Sequence, residues 1–260
     1  MTAVTGYAYG ASRVGATALD TTRDALFGGR VLLEQPPRGA GYRVNVDALL
    51  LASFAHAKER APAETAFDLG AGVGAVALSL LHFRAAKRVV LVEIDGATAA
   101  LARKNLAANG WGEAAEVVHA DVRHAANDRR GEAQLVVCNP PYVETGRGRV
   151  SPDPSRARAR SGELAAFVEA ARAVAGRRAR VCFVYPAREL ATLCAELRGV
   201  GLEPKRVRAV HASPDSPARV VLVETQAAKA GGLLVMPPLV ERIAGVETRE
   251  ISELLARSRI

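Results

Sequence analysis

The sequence contains few cysteines and no pattern that would use them as ligands. Its three cysteines, Cys138, Cys182 and Cys194, are odd in number and form no CxxC pair. Disulfides and a structural zinc site therefore have no support, and free, mostly buried thiols are expected. The five histidines are also not arranged at metal-ligand spacing, so no metal site is predicted.

Long hydrophobic runs are missing as well. No apolar segment reaches the roughly 20 residues that cross a bilayer. The N-terminus lacks the basic-then-apolar pattern of a secretory signal, and these two absences predict a cytoplasmic protein. With 260 residues, of which 49% are hydrophobic, the chain can bury one large core, and an enzyme-sized globular protein is expected.

Lysine is scarce, and arginine supplies most of the 35 basic residues and of the formal net charge of +8. Guanidinium groups pair with phosphates through two hydrogen bonds and stack on bases, so a nucleic-acid partner is one interpretation. The other interpretation is a solvated surface in an alanine- and arginine-rich protein. Net charge describes association rather than fold, and composition alone leaves both open.

Residues 65–225 alternate short β-branched runs with longer alanine- and leucine-rich segments. This alternation is typical of an α/β fold in which helices connect the strands of a mostly parallel sheet. The loop Ala212–Arg219 is too short for a helical crossover, so the last strand should run antiparallel to its neighbour. We predict a Rossmann-like sheet of seven strands with helices on both faces. The predicted strands are Thr65–Leu69, Arg88–Glu93, Ala115–His119, Gln134–Asn139, Arg180–Tyr185, Pro204–His211 and Val220–Thr225, and the predicted helices cover about 73–83, 96–109, 162–175 and 187–199.

Four regions are predicted along the chain. Residues 1–18 are small, polar and featureless, and we expect them to be disordered. Residues 19–60 form an N-terminal block with a strand at Gly28–Leu33 and a helix at Asn45–Ala57. Residues 61–226 form the main domain, and residues 227–260 form a C-terminal extension with an amphipathic helix that starts near Glu247.

The first strand of the main domain runs into Asp68-Leu69-Gly70-Ala71-Gly72-Val73-Gly74. Alternating glycines before a helix let the backbone approach a ligand at the helix N-terminus. The GxGxG spacing with a preceding acid differs from the GxGxxG turn that binds pyrophosphate. The same glycines are also compatible with close packing of strand and helix alone, so this turn by itself leaves two interpretations open.

Two further acids stand at the ends of the next two predicted strands. Glu93 ends the second strand, where a carboxylate in an open α/β sheet accepts both hydroxyls of a ribose. Asp121 follows the third strand, where it can accept a hydrogen bond from an adenine amino group while the next backbone N–H reads the ring. Any one of these acids is compatible with a solvated strand end, but acids at successive strand ends favour a ligand site.

The most specific feature is Asn139-Pro140-Pro141-Tyr142, which follows the fourth predicted strand. The nitrogen of an adenine amino group or a carboxamide is a poor nucleophile because its lone pair is delocalised. The Asn139 side-chain oxygen and the Pro140 carbonyl can accept its two hydrogens and orient it. The prolines hold that carbonyl rigidly, and Tyr142 offers a ring for stacking on a flipped base. These residues therefore predict methyl transfer to a planar nitrogen.

Taken together, Asp68–Gly74, Glu93, Asp121 and Asn139–Tyr142 resemble the motifs of the class I S-adenosylmethionine-dependent methyltransferases that act on amino or amide nitrogen. Within that class, the span from about Asp20 to Arg242 resembles the bacterial tRNA1(Val) adenine-37 N6-methyltransferase family. Residues 28–52, GGRVLLEQPPRGAGYRVNVDALLLA, carry this closer resemblance, and Gly232–Val240 adds to it.

The resemblance implies S-adenosylmethionine as cofactor, tRNA as substrate and partner, and direct methyl transfer without a metal. Two segments depart from the family pattern: Arg160-Ser161-Gly162 stands where an Arg-His-Glu run is usual, and Gly176-Arg177-Arg178 replaces a Gly-Gly turn. The implied cofactor-binding residues are Asp68, Gly70, Gly72 and Gly74 for the methionine portion, Glu93 for the ribose, Asp121 and Val122 for the adenine, Asn139, and Asp47 near the sulfonium.

Three groups of basic residues are candidates for RNA contact. One follows the Asn-Pro-Pro-Tyr motif, one lies on the sixth predicted strand, and one belongs to the N-terminal block. A solvated loop and an ordinary charged strand are the alternative for any single one of them. The candidates are Arg156, Arg158 and Arg160, then Lys205, Arg206 and Arg208, and finally Arg30, Arg38 and Arg43.

Two other functions remain open. A glutamine N5-methyltransferase acting on release factors shares the chemistry of the motif, because a glutamine amide is also planar. Such enzymes usually carry a longer helical N-terminal domain, and Arg43–Ala48 does not match their Arg-x-x-Thr-Glu segment. A domain that binds cofactor or nucleic acid without turnover is the third interpretation, and the presence of Gly72 and Asn139 disfavours it.

Overall fold

A computed structural model describes residues 21–37, 45–56, 61–141 and 154–256, with the side chains of 154–162 outside that description. In chain order the strands are β1 (Thr22–Leu26), β2 (Val31–Gln35), β3 (Ala63–Leu69), β4 (Ala86–Glu93), β5 (Ala115–His119), β6 (Ala133–Cys138), β7 (Ala175–Pro186), β8 (Glu203–His211), β9 (Ala218–Gln226), β10 (Leu234–Val235), β11 (Leu239–Val240), β12 (Arg242–Ile243) and β13 (Val246–Glu247). The helices are α1 (Val46–Ala55), α2 (Ala75–His82), α3 (Gly96–Ala108), α4 (Val122–Asp128), α5 (Pro154–Val174), α6 (Leu190–Gly199, after a 3-10 turn at Ala187–Glu189) and α7 (Arg249–Ala256).

The core is a mostly parallel sheet whose long strands lie in the order β5-β4-β3-β6-β7-β9-β8. The predicted α/β fold with seven long strands is confirmed, and β9 runs antiparallel to both β7 and β8, as the short loop before it requires. The short strands β10 and β11 both pair with β8 and bring the sheet to nine strands. They belong to the C-terminal extension, where the sequence predicts no strand.

Helices cover both faces of the sheet, which explains why its central strands are continuously apolar. Val89–Val92 in β4 and Leu135–Cys138 in β6 are fully buried. One buried cluster joins the sheet to α1, α2, α3 and α7, and a second joins it to α4, α5 and α6. No helix in the described residues is long and apolar enough to span a membrane.

The N-terminal block contains a hairpin where the sequence predicts a single strand. Gly28 and Gly29 do not belong to a strand, because they take positive φ values of 64° and 90° in the turn between β1 and β2. The free edge of β2 is covered by amide side chains of α3: Asn109 exchanges two 2.8 Å hydrogen bonds with the backbone of Leu32, and Asn105 makes equivalent bonds with Glu34. These asparagines act in place of a neighbouring strand and satisfy the exposed edge.

Two other predictions differ from the structure, one in where a helix begins and one in a helix that was not predicted. Helix α5 begins at Pro154 rather than at residue 162, with proline at the first position, where its missing N–H costs nothing. The short helix α4 is absent from the prediction because its sequence, VRHAAND, has no clear apolar period. The tail helix begins at Arg249, close to the expected position, after a β12–β13 hairpin whose turn residues Ala244 and Gly245 take positive φ.

A buried ionic cluster fixes the C-terminal end of α1 against the sheet. Arg180 donates to the carbonyl of Ala55 at 2.8 Å, and Arg206 donates to that of Phe54 at 2.7 Å. The guanidinium of Arg206 also lies 4.2 Å from the centre of the Phe54 ring. Glu224 on β9 balances both arginines, at 3.4 Å and 2.8 Å. Cations at a helix C-terminus satisfy the last carbonyls and the helix dipole.

We predict that Glu224→Ala destabilises the protein by about 3–5 kcal/mol, because two largely buried guanidinium groups lose their counter-charge. The free energy of unfolding in urea, followed by circular dichroism, measures this. Glu253→Ala is the matched control: it removes a glutamate whose side chain is 63% exposed and pairs with Arg249, and it should cost less than about 1 kcal/mol. Equal losses in the two variants would contradict the buried cluster's role.

Candidate active site

The predicted cofactor-binding residues at or just after the ends of β3, β4, β5 and β6 lie at one edge of the sheet, where the parallel strands end. Leu69 at the end of β3 pairs with Val92 on one side and with Cys138 on the other, and Glu93 pairs with His119. The segments that follow β5, β4, β3 and β6 therefore lie side by side. With about 4.8 Å between neighbouring strands, they span about 14 Å, enough to line an extended nucleoside-sized ligand.

The three glycines after β3 all take positive φ, at 71°, 56° and 88° for Gly70, Gly72 and Gly74. A Cβ on Gly70 would lie 2.8 Å from the ring of Phe167, and one on Gly74 would lie 3.2 Å from Leu91. Gly70 thus allows α5, and Gly74 allows the side chain of Leu91 on β4, to pack closely against the turn. A Cβ on Gly72 would meet nothing within 4 Å, so the turn has open space on that side.

Glu93 connects the loops that follow β3 and β4. It is 9% exposed, and its carboxylate accepts hydrogen bonds from the Gly72 and Asp95 amides, both at 2.8 Å. Each carboxylate oxygen keeps a second lone pair that a ribose hydroxyl can use. Glu93 thus shapes the glycine turn. This role could not be predicted from the position of Glu93 at the end of a strand.

Asp68 lies beneath the glycine turn, 1% exposed. Its carboxylate accepts a hydrogen bond from the Ala77 amide in the first turn of α2, at 3.1 Å. Burial raises the pKa of Asp68 to about 7, against the lowering effect of the Ala77 hydrogen bond, and the nearby Glu93 charge adds to the rise. Asp68 therefore supports the N-terminus of α2 from inside the core.

Asp121 and Val122 begin α4. Asp121 is its N-cap, accepting from the Arg123 amide at 2.8 Å and pairing with the Arg123 guanidinium at 3.3 Å, while its side chain remains 26% exposed. Val122 is 8% exposed and belongs to the second core cluster. This capping role could be found from the sequence only by predicting α4.

The motif after β6 is partly described. Asn139 is half-buried, Pro140 is buried and Pro141 is exposed, whereas Tyr142 lies outside the described residues. Pairing between β6 and β7 ends at Cys138 and Phe183. Because proline has no N–H, Pro140 and Pro141 end the ladder and leave this segment free to face the glycine turn across the β3–β6 pair.

Asp47 lies in the first turn of α1 and is 1% exposed. Its amide donates to the N-cap side chain of Asn45 at 3.0 Å, and its carboxylate pairs with Arg219 at 2.6 Å. Arg219 also pairs with Glu241. Burial opposes the charge of Arg219, but the hydrogen bonds to Glu241 and Asp47 outweigh it and raise the arginine's pKa.

Arg219 therefore joins three parts of the chain at one point. Asp47 belongs to the N-terminal block, Arg219 to β9 of the main domain and Glu241 to the C-terminal extension. The pairing of Val220 with Pro186 puts Arg219 at the sheet edge where β7 ends, which is the edge that carries the candidate site. This three-residue contact has no sequence signature, because its members are widely separated.

Four of the predicted RNA-binding residues contact the protein itself. Arg30 donates to the carbonyls of Phe27 and Ala256, both at 3.0 Å. Lys205 donates to the carbonyls of Lys229 and Gly231, both at 2.6 Å, Arg206 belongs to the Glu224 cluster, and Arg208 pairs with both carboxylate oxygens of Glu250. Arg38 and Arg43 lie outside the described residues. Arg156, Arg158 and Arg160 fall in the first turns of α5, where side chains are not described.

Comparisons with known proteins agree with this arrangement. Residues 44–151 match the family model described as methyltransferase small domain. A tRNA1(Val) (adenine(37)-N6)-methyltransferase of Shewanella amazonensis is 35% identical over 122 residues, which cover 47% of this chain and 50% of that protein. The chain thus spans about half the length of this curated relative.

Two solved structures show the fold. A predicted O-methyltransferase, Atu636 from Agrobacterium tumefaciens, aligns with a TM-score of 0.65 at 24% identity, over 82% of this chain and 98% of that one. TYW2 of M. jannaschii aligns with a TM-score of 0.54 at 13% identity, over 79% and 86%. The chain therefore shares the α/β fold of these proteins. Over a little less than half of its length the chain is similar to the tRNA1(Val) (adenine(37)-N6)-methyltransferases, at 31% identity to that of Escherichia coli O157:H7, for example.

The pKa of Asp68 gives a prediction for stability against pH. The folded protein holds this proton up to about pH 7, whereas the ordinary pKa is 3.8. Because the folded state binds more protons between these values, Asp68 should lower stability as pH rises from about 4 to about 7, with no further loss above. Asp68→Asn removes this contribution and keeps an acceptor for the Ala77 amide.

The melting temperature of Asp68→Asn minus that of the wild type should therefore increase over this pH range and then level off. Differential scanning calorimetry at a series of pH values measures the difference. Asp128→Asn, on the exposed end of α4, is the control for loss of a carboxylate. A difference that stays constant with pH for Asp68→Asn would refute the buried, protonated carboxyl.

Proposed function

We propose that this protein transfers a methyl group from S-adenosylmethionine to N6 of an adenine in tRNA, position 37 of a valine tRNA by resemblance. The observation that carries the proposal is the pairing of Leu69 with Cys138, which brings the glycine turn after β3 beside Asn139 and Pro140 after β6. A cofactor turn and an amide-orienting motif on adjacent strand ends are what methyl transfer to a planar nitrogen needs. The 35% sequence identity to the Shewanella amazonensis relative, which is named for this activity, supports tRNA as the substrate.

The residues present fit the proposed cofactor. Gly72 has open space where its Cβ would stand, so a ligand can approach the backbone there. Glu93 keeps lone pairs for the ribose, and Asp121 and Val122 stand at the next strand end for the adenine. We assign Asp68, Gly70 and Gly74 to shaping the methionine end of this site and Asp47 to its closure. The related fold of TYW2 from M. jannaschii was solved in complex with AdoMet.

The bound cofactor would supply an electrophilic methyl group on its sulfonium. The chain's own residues then have to orient the target nitrogen. The Asn139 side-chain oxygen and the Pro140 carbonyl accept the two hydrogens of the adenine amino group, raise electron density on nitrogen and fix its direction. Pro140 and Pro141 restrict backbone rotation there. Tyr142 stacks on the flipped base, which offsets part of the cost of unstacking it.

We propose that RNA is held on basic residues of α5 and of the N-terminal block. Arg156, Arg158 and Arg160 occupy the first turns of α5, directly after the motif segment, and Arg38 and Arg43 belong to the N-terminal block. Arg30, Lys205, Arg206 and Arg208 add positive charge, but their internal contacts make the first two groups the stronger candidates. A tRNA substrate places the proposed activity in the cytoplasm.

The test is tritiated methyl transfer into unmodified total tRNA, with a peptide-chain release factor as the alternative substrate. Label in N6-methyladenine is expected after nuclease digestion. Label in glutamine of the release factor, with none in tRNA, would replace the proposal by a glutamine N5-methyltransferase. No label in either, together with cofactor binding, would favour a domain without turnover.

We predict that Asn139→Ala lowers the methyl-transfer rate by about 100-fold or more, because one oriented acceptor of the amino group is lost. Affinity for S-adenosylhomocysteine should change little. Gln134→Ala is the matched control: it removes an amide from the other end of the same strand, where Gln134 accepts from the Glu64 amide. An Asn139→Ala rate within a few-fold of the wild type would remove Asn139 from the mechanism.

We also predict that Glu93→Ala weakens S-adenosylhomocysteine binding by roughly 1–3 kcal/mol, measured by isothermal titration calorimetry. Glu93 also holds the Gly72 amide, so the same titration with a 2′,3′-dideoxy analogue separates the two roles. If Glu93 contacts the ribose, the substitution costs less for the dideoxy analogue. Equal costs for both ligands would reduce Glu93 to a residue that shapes the turn.

A further inference from the structure

A basic groove lies at the opposite edge of the sheet from the candidate active site. It has a volume of about 560 Å³, and its walls include Arg130 after α4, Glu169 and Arg172 on α5, and Val200 after α6. These residues lie near the C-terminal ends of α4, α5 and α6. The three helices lead into the amino ends of β6, β7 and β8. The groove thus shares no lining residue with the site where β3 and β6 end.

An irregularity in β7 adds two more arginines to this edge. Ala133 pairs with Ala175 and Leu135 pairs with Arg180, so four residues of β7 stand against one residue of β6. This bulge contains Arg177 and Arg178, which are both exposed. It begins at Gly176, where a Cβ would lie 3.0 Å from the carbonyl oxygens of Gly131 and Ala133. Glycine permits the close approach that turns the bulge outward.

The arginines of this edge form no ion pairs with the part of the chain that the structure describes. Within the described residues, no carboxylate lies within salt-bridge distance of Arg130, Arg172, Arg177 or Arg178. Arg130 donates to the side chain of Asn127, at 3.2 Å. Arg129, by contrast, is neutralised by Glu116 and Glu132. This differs from β8, whose basic residues all bind carbonyls or carboxylates of the same chain.

We infer that this groove is a second contact for the substrate RNA, binding its phosphates some distance from the methylated base. The RNA identity rests on the proposed function. The anionic character of the ligand rests on Arg130 and Arg172 in the groove and on Arg177 and Arg178 in the adjoining bulge, none of which forms an ion pair with a described residue. Guanidinium forks bind phosphate oxygens through two hydrogen bonds, and groups on one rim can follow a phosphodiester backbone. The exposed carboxylate of Glu169 is the one lining group that disfavours a phosphate.

The distance to the active site suits an RNA of tRNA size. Helix α5 has 21 residues and is therefore about 30 Å long. It starts after the Asn139 motif segment and ends at Arg172 and Val174 beside the groove. A folded RNA whose loop enters the active site can thus reach the groove with its stem along this face. Phosphate contacts of this kind position the substrate without reading its sequence.

The experiment compares the wild type with Arg177→Ala/Arg178→Ala in binding full-length unmodified tRNA across a salt series. We expect about tenfold weaker binding at low salt and a log–log salt slope reduced by roughly 0.7–0.9 for each lost phosphate contact. With saturating tRNA the methyl-transfer rate should match the wild type while KM rises by a similar factor. Both side chains are exposed, so an unchanged melting temperature is expected and checks the fold.

Two further variants sharpen the result. Glu169→Gln should tighten tRNA binding, a change opposite in sign to damage of the fold. Arg23→Ala/Arg249→Ala removes the same charge from side chains that are 87% and 92% exposed elsewhere, and should change binding less. Equal losses in both double variants, or an unchanged salt slope for Arg177→Ala/Arg178→Ala, would overturn the inference.

The outcomes also separate this inference from the proposed function. A wild type that binds tRNA through the groove but transfers no methyl group to it would refute the function and leave the groove assigned. A wild type that methylates tRNA, with binding unaffected by the double variant, would refute the groove alone. If the double variant loses affinity for poly-glutamate but not for tRNA, the groove binds an acidic protein segment and the RNA assignment is wrong.

Discussion

The candidate site depends on one carboxylate, that of Glu93, which holds two loops together. By accepting the amides of Gly72 and Asp95, it fixes the turn after β3 against the turn after β4. The ligand-facing surface is then largely backbone, and its shape requires positive φ at three glycines rather than particular side chains. Asp68 supports the same turn from below, through the first turn of α2. A buried carboxyl is costly to ionise, so the protonation state of Asp68 depends on the charges around it.

The sheet could be predicted from the sequence because burial on both faces makes its strands continuously apolar. The runs in β4 and β6 are examples. The acids at or just after the ends of β3, β4 and β5 indicated the candidate site. Helix α4 could not be predicted, since seven mostly small and polar residues carry no period. The β1–β2 hairpin was also missed: the edge of β2 is satisfied by Asn105 and Asn109 from a helix about 70 residues later. Contacts at that separation leave no local pattern.

The contacts of the basic residues on β8 could not be predicted from the sequence either. Charge and spacing placed Lys205, Arg206 and Arg208 together on one strand, and the structure confirms that strand. Their partners, however, are carbonyls and acids of the C-terminal extension, of β9 and of α1, which sequence spacing does not reveal. Arginine is suited to both roles, because its fork satisfies a carboxylate or several carbonyls as well as a phosphate. Only the geometry distinguishes an arginine that closes the fold from one that faces solvent.

The same distinction separates two groups of arginines in the described residues. On β8 and β9 the guanidinium groups bind groups of the same chain. Arg219 pairs with both Asp47 and Glu241, and Arg206 pairs with Glu224 and donates to a carbonyl of α1. At the amino edge of β6 and β7 the guanidinium groups have no such partners among the residues that the structure describes, and a bulge turns two of them outward. A protein that needed arginine only for its fold would gain nothing from this bulge, since self-repulsion among unpaired cations opposes compaction. The proposed RNA substrate, spanning the length of α5, would supply the missing counter-charge, and it would do so only while bound.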